Sequence, residues 1–249
     1  MLTEANNMKE GIIILGGAFN PVHTQHIALL CLVKQELEVN GQWNILGGYL
    51  AVAPDGYVRH KLHSRNERTI KLKHRLALIH EAITDIPWLI NSPFQEEMLK
   101  QHDGSAFALG QRLKRLLKND NIQIIILTGG DRMISNGIPI WRRSFPNRQP
   151  VIRVGVERIM NDNNNKLFEY WQQDLNKNLI LNPEEFILLN LPIQSVSSSI
   201  VRIYLNQWFN AKEDSKKQFD IENDLININS FLHSSVMNYI KNNQDDLYI

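Results

Sequence analysis

One cysteine, Cys31, stands in the 249-residue sequence, so no internal disulfide can staple the fold, and the usage favours a reducing compartment. The apolar run around it, Ile27 to Val33, reads as the surroundings of a small buried side chain, not of a reactive thiol. Charge of one sign is also lacking. With 27 basic against 26 acidic residues the formal charge is +1, so no global field recruits nucleic acid or an anionic membrane, and any polyanion must be held by a local site. Long apolar runs are missing too. None approaches the roughly 20 residues of a spanning helix, and the opening MLTEANNMKE is polar, unlike a signal peptide. The expectation is a soluble protein of the cytoplasm, with the nucleus left open. No lysine completes a GxxxxGK[ST] loop and no GxGxxG spacing occurs, which argues against an ordinary P-loop and a dinucleotide-binding dehydrogenase. Nor do the Ser, Thr and acidic residues show the spacing of a hydrolytic triad or a glycosidase carboxylate pair.

What is present is a 43% apolar chain long enough to bury one sizeable core. Gly11 to Leu15 (GIIIL) is a β-branched run closed by Gly16-Gly17, the pattern of a buried strand ending in a turn. Thr24 to Leu37 then places Ile27, Leu30, Val33 and Leu37 near one face at helical spacing. The alternation continues with a strand at Gly48 to Ala53, helices at Lys71 to Ile83 and Leu109 to Lys118, and a buried strand at Ile122 to Leu127. Further strands are expected at Val151 to Val154 and Glu185 to Leu189, and a helix from Ser198 through Trp208. Asn161 to Lys166 suits an exposed loop, Ala211 to Asp224 a charged loop, Phe231 to Ile240 a last helix, and NNQDDLYI a frayed end. Repeated βα units imply an α/β fold, a Rossmann-like doubly wound parallel sheet in a single domain. The expected layout is a polar leader (1–10), the α/β domain (11–210) and a helical extension (211–249) packed on it. The basic helix around Gln111 to Lys118 reads as a solvated face, because Leu113, Leu116 and Leu117 mark its buried stripe.

Directly after the first strand comes GGAFNPVHTQH, from Gly16 to His26. Glycines allow close approach of the backbone, and main-chain N–H groups leading into a helix N-terminus point at an anion. His23 and His26, three apart, lie on one face of the helix start and can donate to phosphate oxygens. A plain tight turn followed by polar helix-start residues remains the alternative on these residues alone. Metal ligation by the two histidines lacks a nearby cysteine or acidic partner, so no protein metal site is expected. Far downstream, Val196 to Arg202 reads VSSSIVR. There Ser198 or a neighbouring serine can cap a helix, and Arg202 one turn in can bind an anion bidentately. An ordinary capped helix with a surface arginine is again the alternative.

Together these stretches resemble the nucleotidyltransferase superfamily with (H/T)xGH and ISSTxIR motifs, and particularly its mononucleotide adenylyltransferases with their GxFNP run. Gln25 replaces the usual glycine and Ser199 the usual threonine. His60-Lys61 is similar to the family's lysine after the second strand, His74-Arg75 to its HR pair, and Thr128-Gly129-Gly130-Asp131 to its GxD element. The resemblance spans about residues 11 to 205 and implies adenylyl transfer from ATP to nicotinamide or nicotinic acid mononucleotide, with Mg2+ as cofactor. It implies catalytic roles for His23, His26 and Arg202. ATP would be held by Gly17, Ala18, Phe19, His26, Gly129, Asp131, Ser198, Ser199 and Arg202. The mononucleotide would be held by Asn20 and Lys61 and sandwiched by Trp88 and Trp141. The implied partners are the two substrates, with a homo-oligomer of the chain left open; nucleic acid and membrane are not among them. Another acceptor (pantetheine phosphate, flavin mononucleotide or a phosphoalcohol) and a catalytically inert nucleotide-binding protein are the alternatives.

Overall fold

The computed structural model describes residues 8–39, 41–63, 65, 67–91, 105–135, 137–144, 150–158, 166–193, 197–211 and 230–249. Most of the polar leader and of the loops expected at 161–166 and 211–224 lies outside these residues; of those loops only Lys166 and Ala211 are described, each at the end of a helix. In chain order the larger elements are β1 (Lys9–Gly17), α1 (Thr24–Val39), β2 (Trp43–Val52), α2 (Asp55–His63), α3 (Leu72–Ile83), β3 (Leu89–Ile90), α4 (Ala106–Leu117) and β4 (Ile122–Gly129). A short α5 (Gly130–Met133) and a small ribbon of β5 (Ile134–Ser135) and β6 (Ile138–Pro139) precede β7 (Ile152–Arg158), α6 (Lys166–Asn176), β8 (Phe186–Leu191), α7 (Ser198–Ala211) and α8 (Ser234–Asn242).

The main sheet runs β3-β2-β1-β4-β7-β8, with β1, β4, β7 and β8 paired in parallel register. That order reverses direction at β1 and β4, as in doubly wound sheets, and the first motif begins at the carboxyl end of β1. The β-branched run of β1 is buried on both faces: Ile12 to Leu15 are all at most 7% exposed, as a strand covered on two sides requires. No described helix is long and apolar enough to cross a membrane.

By contacts the chain divides into two compact units, each assembled from three separated stretches. The first comprises residues up to Gly16, Leu30–Tyr49 and Ala106–Ser195. Its core joins the isoleucines of β1 and β4 to α4, where Gly110 is required: a Cβ there would stand 2.7 Å from Ile124 Cγ2. A satellite cluster of Met133, Trp141, Leu167 and Phe186, backed by Trp171 and Ile180, lies in the same unit.

The second unit comprises Gly17–Leu29, Leu50–Ser105 and Val196–Ile249. Here Phe19, Val22, Leu50, Val52, Val58, Ile70, Leu78, Val201 and Leu205 form the core, each at most 1% exposed. The C-terminal stretch is an ordered part of this unit, contrary to the frayed end expected from its polar composition. Ile70 and Tyr248 pair antiparallel, Lys71 N–H donates to Leu247 O at 2.9 Å, and Ile249 N–H donates to Thr69 O at 2.9 Å. Leu247 is fully buried, and Asp246 binds Lys71, Lys73 and His74. An eight-residue polar tail gives no local signal for such pairing, because its partner strand lies about 180 residues earlier in the sequence.

Candidate active site

Apart from Gly16, both sequence motifs fall within the second unit. Gly17 closes β1, and its carbonyl accepts Ala53 N–H at 2.9 Å. Phe19 follows with φ +44°, a left-handed conformation disfavoured for an aromatic residue, held by complete burial of its ring. A side chain at Gly17 would meet that ring at 2.9 Å, so this position requires glycine. The Asn20-Pro21 bond is cis.

What fixes the turn is a guanidinium beneath it. Arg75 on α3 is fully buried and donates to Ile70 O (3.0 Å), Ala18 O (2.9 Å), Ala53 O (2.7 Å) and the Asp55 carboxylate (2.7 Å). Burial pushes its pKa down, opposed by the hydrogen bond and charge of Asp55. The arginine of the HR pair is thus the buttress of the turn.

His23 and His26 open α1 as expected, with ring centroids 3.7 Å apart. His23 N–H donates to His26 Nδ1 at 3.2 Å, so a neutral His26 carries its ring proton on Nε2. The Phe19 and His26 rings pack in a T-shaped arrangement, centroids 5.0 Å apart and planes at 76°. His26 is half-buried and His23 is 5% exposed.

The second motif meets the first through main-chain contacts. Ser198 Oγ donates to Pro21 O at 3.2 Å, and Arg202 Nη1 donates to Asn20 O at 2.8 Å. Ser197, not Ser198, caps α7, its Oγ accepting Ile200 N–H at 3.4 Å. Ser199 Oγ accepts from Arg202 at 2.9 Å and from Arg65 at 3.4 Å. Arg202 is only 6% exposed and lies against Glu67, with Nε to Oε2 at 2.8 Å. Burial pulls its pKa down, while the Glu67 charge and hydrogen bond push it up.

Several expected substrate contacts take other roles. Asn20 is 1% exposed and its amide bridges Arg68 O (3.0 Å) and Ile70 N–H (2.7 Å), so its side chain is a strut under the turn and presents nothing to a mononucleotide. Trp141 is fully buried in the first unit, donates Nε1–H to Asp174 at 2.8 Å and packs edge-on to Trp171 and Phe186. Trp88 is half-buried just before β3 in the second unit. Lys61 is exposed, and it stands in the last turn of a helix, α2, that the sequence pattern did not reveal. Gly129 and Asp131 follow the expected strand in the first unit, at the start of α5. Glu67, Arg65 and Asp55 were missed, since isolated charged residues between elements or at the first position of a short helix carry no periodic signal.

Residues 14–203 match the cytidylyltransferase-like family, a span that holds both motifs and most of the chain. The chain belongs to the cytidylyltransferase-like family. Curated relatives include a probable nicotinate-nucleotide adenylyltransferase of Enterococcus faecalis, 27% identical over 58% of this chain and 58% of its own length. A protein of the same name from Streptococcus pyogenes serotype M3 is 23% identical over 82% of this chain and 80% of its own. Among solved structures, Plasmodium falciparum nicotinic acid mononucleotide adenylyltransferase complexed with APC superposes with TM-score 0.56 at 16% identity, covering 94% of this chain and 96% of that one. Its complex with NaAD gives TM-score 0.50 at 17% identity, covering 96% and 98%. These superpositions establish the α/β nucleotidyltransferase fold that the βα alternation and the order of the two motifs foretold.

Proposed function

We propose that this member of the cytidylyltransferase-like family transfers the adenylyl group of ATP to nicotinic acid mononucleotide, giving the deamido dinucleotide and pyrophosphate. A phosphate oxygen of the mononucleotide attacks the α-phosphorus of ATP as the bond to the α,β-bridging oxygen breaks, and pyrophosphate carries the electron pair away. The observation that carries this reading is the fixed His26 ring at the start of α1, its Nδ1 engaged and its Nε2–H turned into a donor, beside a turn held by Arg75. Little covalent chemistry is asked of the protein; it positions phosphates and neutralises charge as it passes to the leaving group. His23 and the N–H groups of Gly17 to Phe19 assist His26, Ser198 and Ser199 line the second motif, and Gly129 and Asp131 serve the adenosine. Lys61 and Trp88 remain the candidates for the mononucleotide.

The nicotinate acceptor is favoured by the names of the bacterial relatives. Mg2+ would supply charge neutralisation on the substrate phosphates. Among the described residues no three His, Cys, Asp or Glu side chains gather as ligands, so the chain itself offers no cage and no step is assigned to the ion. The lone cysteine and the ATP substrate fit a cytoplasmic enzyme. The test is chromatography of products from ATP and Mg2+ with nicotinic acid mononucleotide, nicotinamide mononucleotide, pantetheine phosphate and flavin mononucleotide in parallel. Dinucleotide from the first at the highest kcat/KM supports the reading; preference for either of the last two overturns it.

A further inference from the structure

Glu67 belongs to neither motif, yet it is the carboxylate on which the second motif's arginine rests. It stands in the stretch between α2 and α3, its own N–H donating to Leu62 O at 3.3 Å, and its side chain is 20% exposed. Oε2 accepts from both Nε and Nη2 of Arg202. The same guanidinium donates to Asn20 O and to Ser199 Oγ, so four of its five N–H groups are taken by protein acceptors. One residue on, the Arg68 carbonyl accepts the Asn20 amide. The main chain and side chain of Asn20 are therefore both tied to the segment that carries Glu67.

A guanidinium that is 6% exposed is stable in one orientation only while its charge is matched nearby. Without Glu67 it would hold the Asn20 carbonyl less firmly, or leave it for another anion. We propose that Glu67 is a positioning residue for adenylyl transfer: by orienting and neutralising Arg202 it locks the Gly17 to Asn20 turn to the start of α7. The role rests on the adenylyltransferase reading for its kinetic consequence. Glu67 acts through Arg202 and touches no substrate.

The test combines steady-state kinetics, the Kd of a non-hydrolysable ATP analogue and thermal melts for Glu67→Gln, Arg202→Lys and the double variant. Glu67→Gln is expected to weaken analogue binding and raise KM for ATP about tenfold with kcat less affected, and to lower Tm by a few degrees. In the Arg202→Lys background the same substitution should change either quantity by less than about twofold, because its effect passes through the guanidinium. A purely structural role would lower kcat with KM unchanged and add to the arginine variant, and that outcome overturns the proposal. So would unchanged binding, or tighter binding, which would make Glu67 a competitor of the phosphates. Should Glu67→Gln fail to fold, Glu67→Asp, which keeps the charge but shortens its reach, must still weaken analogue binding. If the wild type makes no dinucleotide with any acceptor, the functional reading fails, and the binding measurements still decide the role of Glu67.

Discussion

Arg75 reaches the main chain of Ala18, Ala53 and Ile70 and the carboxylate of Asp55 at once. Replacing it by methionine keeps much of the volume but orphans three carbonyls. The expected loss is about 3 kcal/mol in urea unfolding, the low end for a broken buried pair, since Asp55 stays 31% exposed and can hydrate. Trp141→Phe is predicted to lower stability by about 1–3 kcal/mol, through the indole hydrogen bond withdrawn from the buried Asp174. KM for the mononucleotide should stay within about twofold, whereas a stacking role would raise it sharply. The two residues also show what a sequence yields at this scale. The His-Arg pair could be placed by its position in a pattern, but its hydrogen bonds depend on carbonyls 5, 22 and 57 residues away. Likewise, nothing local to Trp141 says that Asp174, 33 residues on, will take its N–H.

At the scale of elements, the long strands and most of the longer helices were readable because burial on two faces or one leaves a period in the sequence. The helix α6, the two-residue strands β3, β5 and β6, and two further stretches were not. The helix at Asp55–His63 has only Val58 and Leu62 buried, too few to set a period. The C-terminal stretch pairs with residues 69–71, a long-range contact no local pattern records. That strap sits on the segment that holds Asn20 and Arg75, so loosening it should reach the motif turn. The hydrogen bonds of Lys71, then Lys73 and His74, hold the Asp246 carboxyl well below the usual carboxylate range. A pKa lowered on folding stabilises the fold above the unfolded value of about 4 and is lost as pH falls through the folded one. The Tm gap between wild type and Asp246→Asn should therefore be constant from about pH 6 to 8 and shrink below about pH 4. Tyr248 behaves oppositely: burial pushes its hydroxyl up to about 12, against weaker pulls from Arg68 and Arg202. Its contribution is complete below the unfolded value of about 10 and fades as pH rises past it.

For the whole molecule, family and fold were legible because two motifs in a set order, at opposite ends of a βα chain, are hard to meet by chance. The match over residues 14–203 bears this out. The choice of acceptor was not legible, since the tryptophans that argued for a pyridine ring, Trp88 and Trp141, carry no local signal that separates stacking on a ligand from packing in a core. What unites the chain's chemistry is a turn whose backbone is set by Arg75 and Asn20 from below and by α7 from beside it, with His26 fixed at its end. The most direct test is single-turnover formation of dinucleotide from ATP and nicotinic acid mononucleotide, with saturating enzyme, in wild type and His26→Ala of equal Tm. The account predicts product from the wild type and a rate lower by about 10²–10³-fold in the variant, the effect of removing one preorganised donor from a reacting phosphate. An active wild type with an equally active His26→Ala would contradict it.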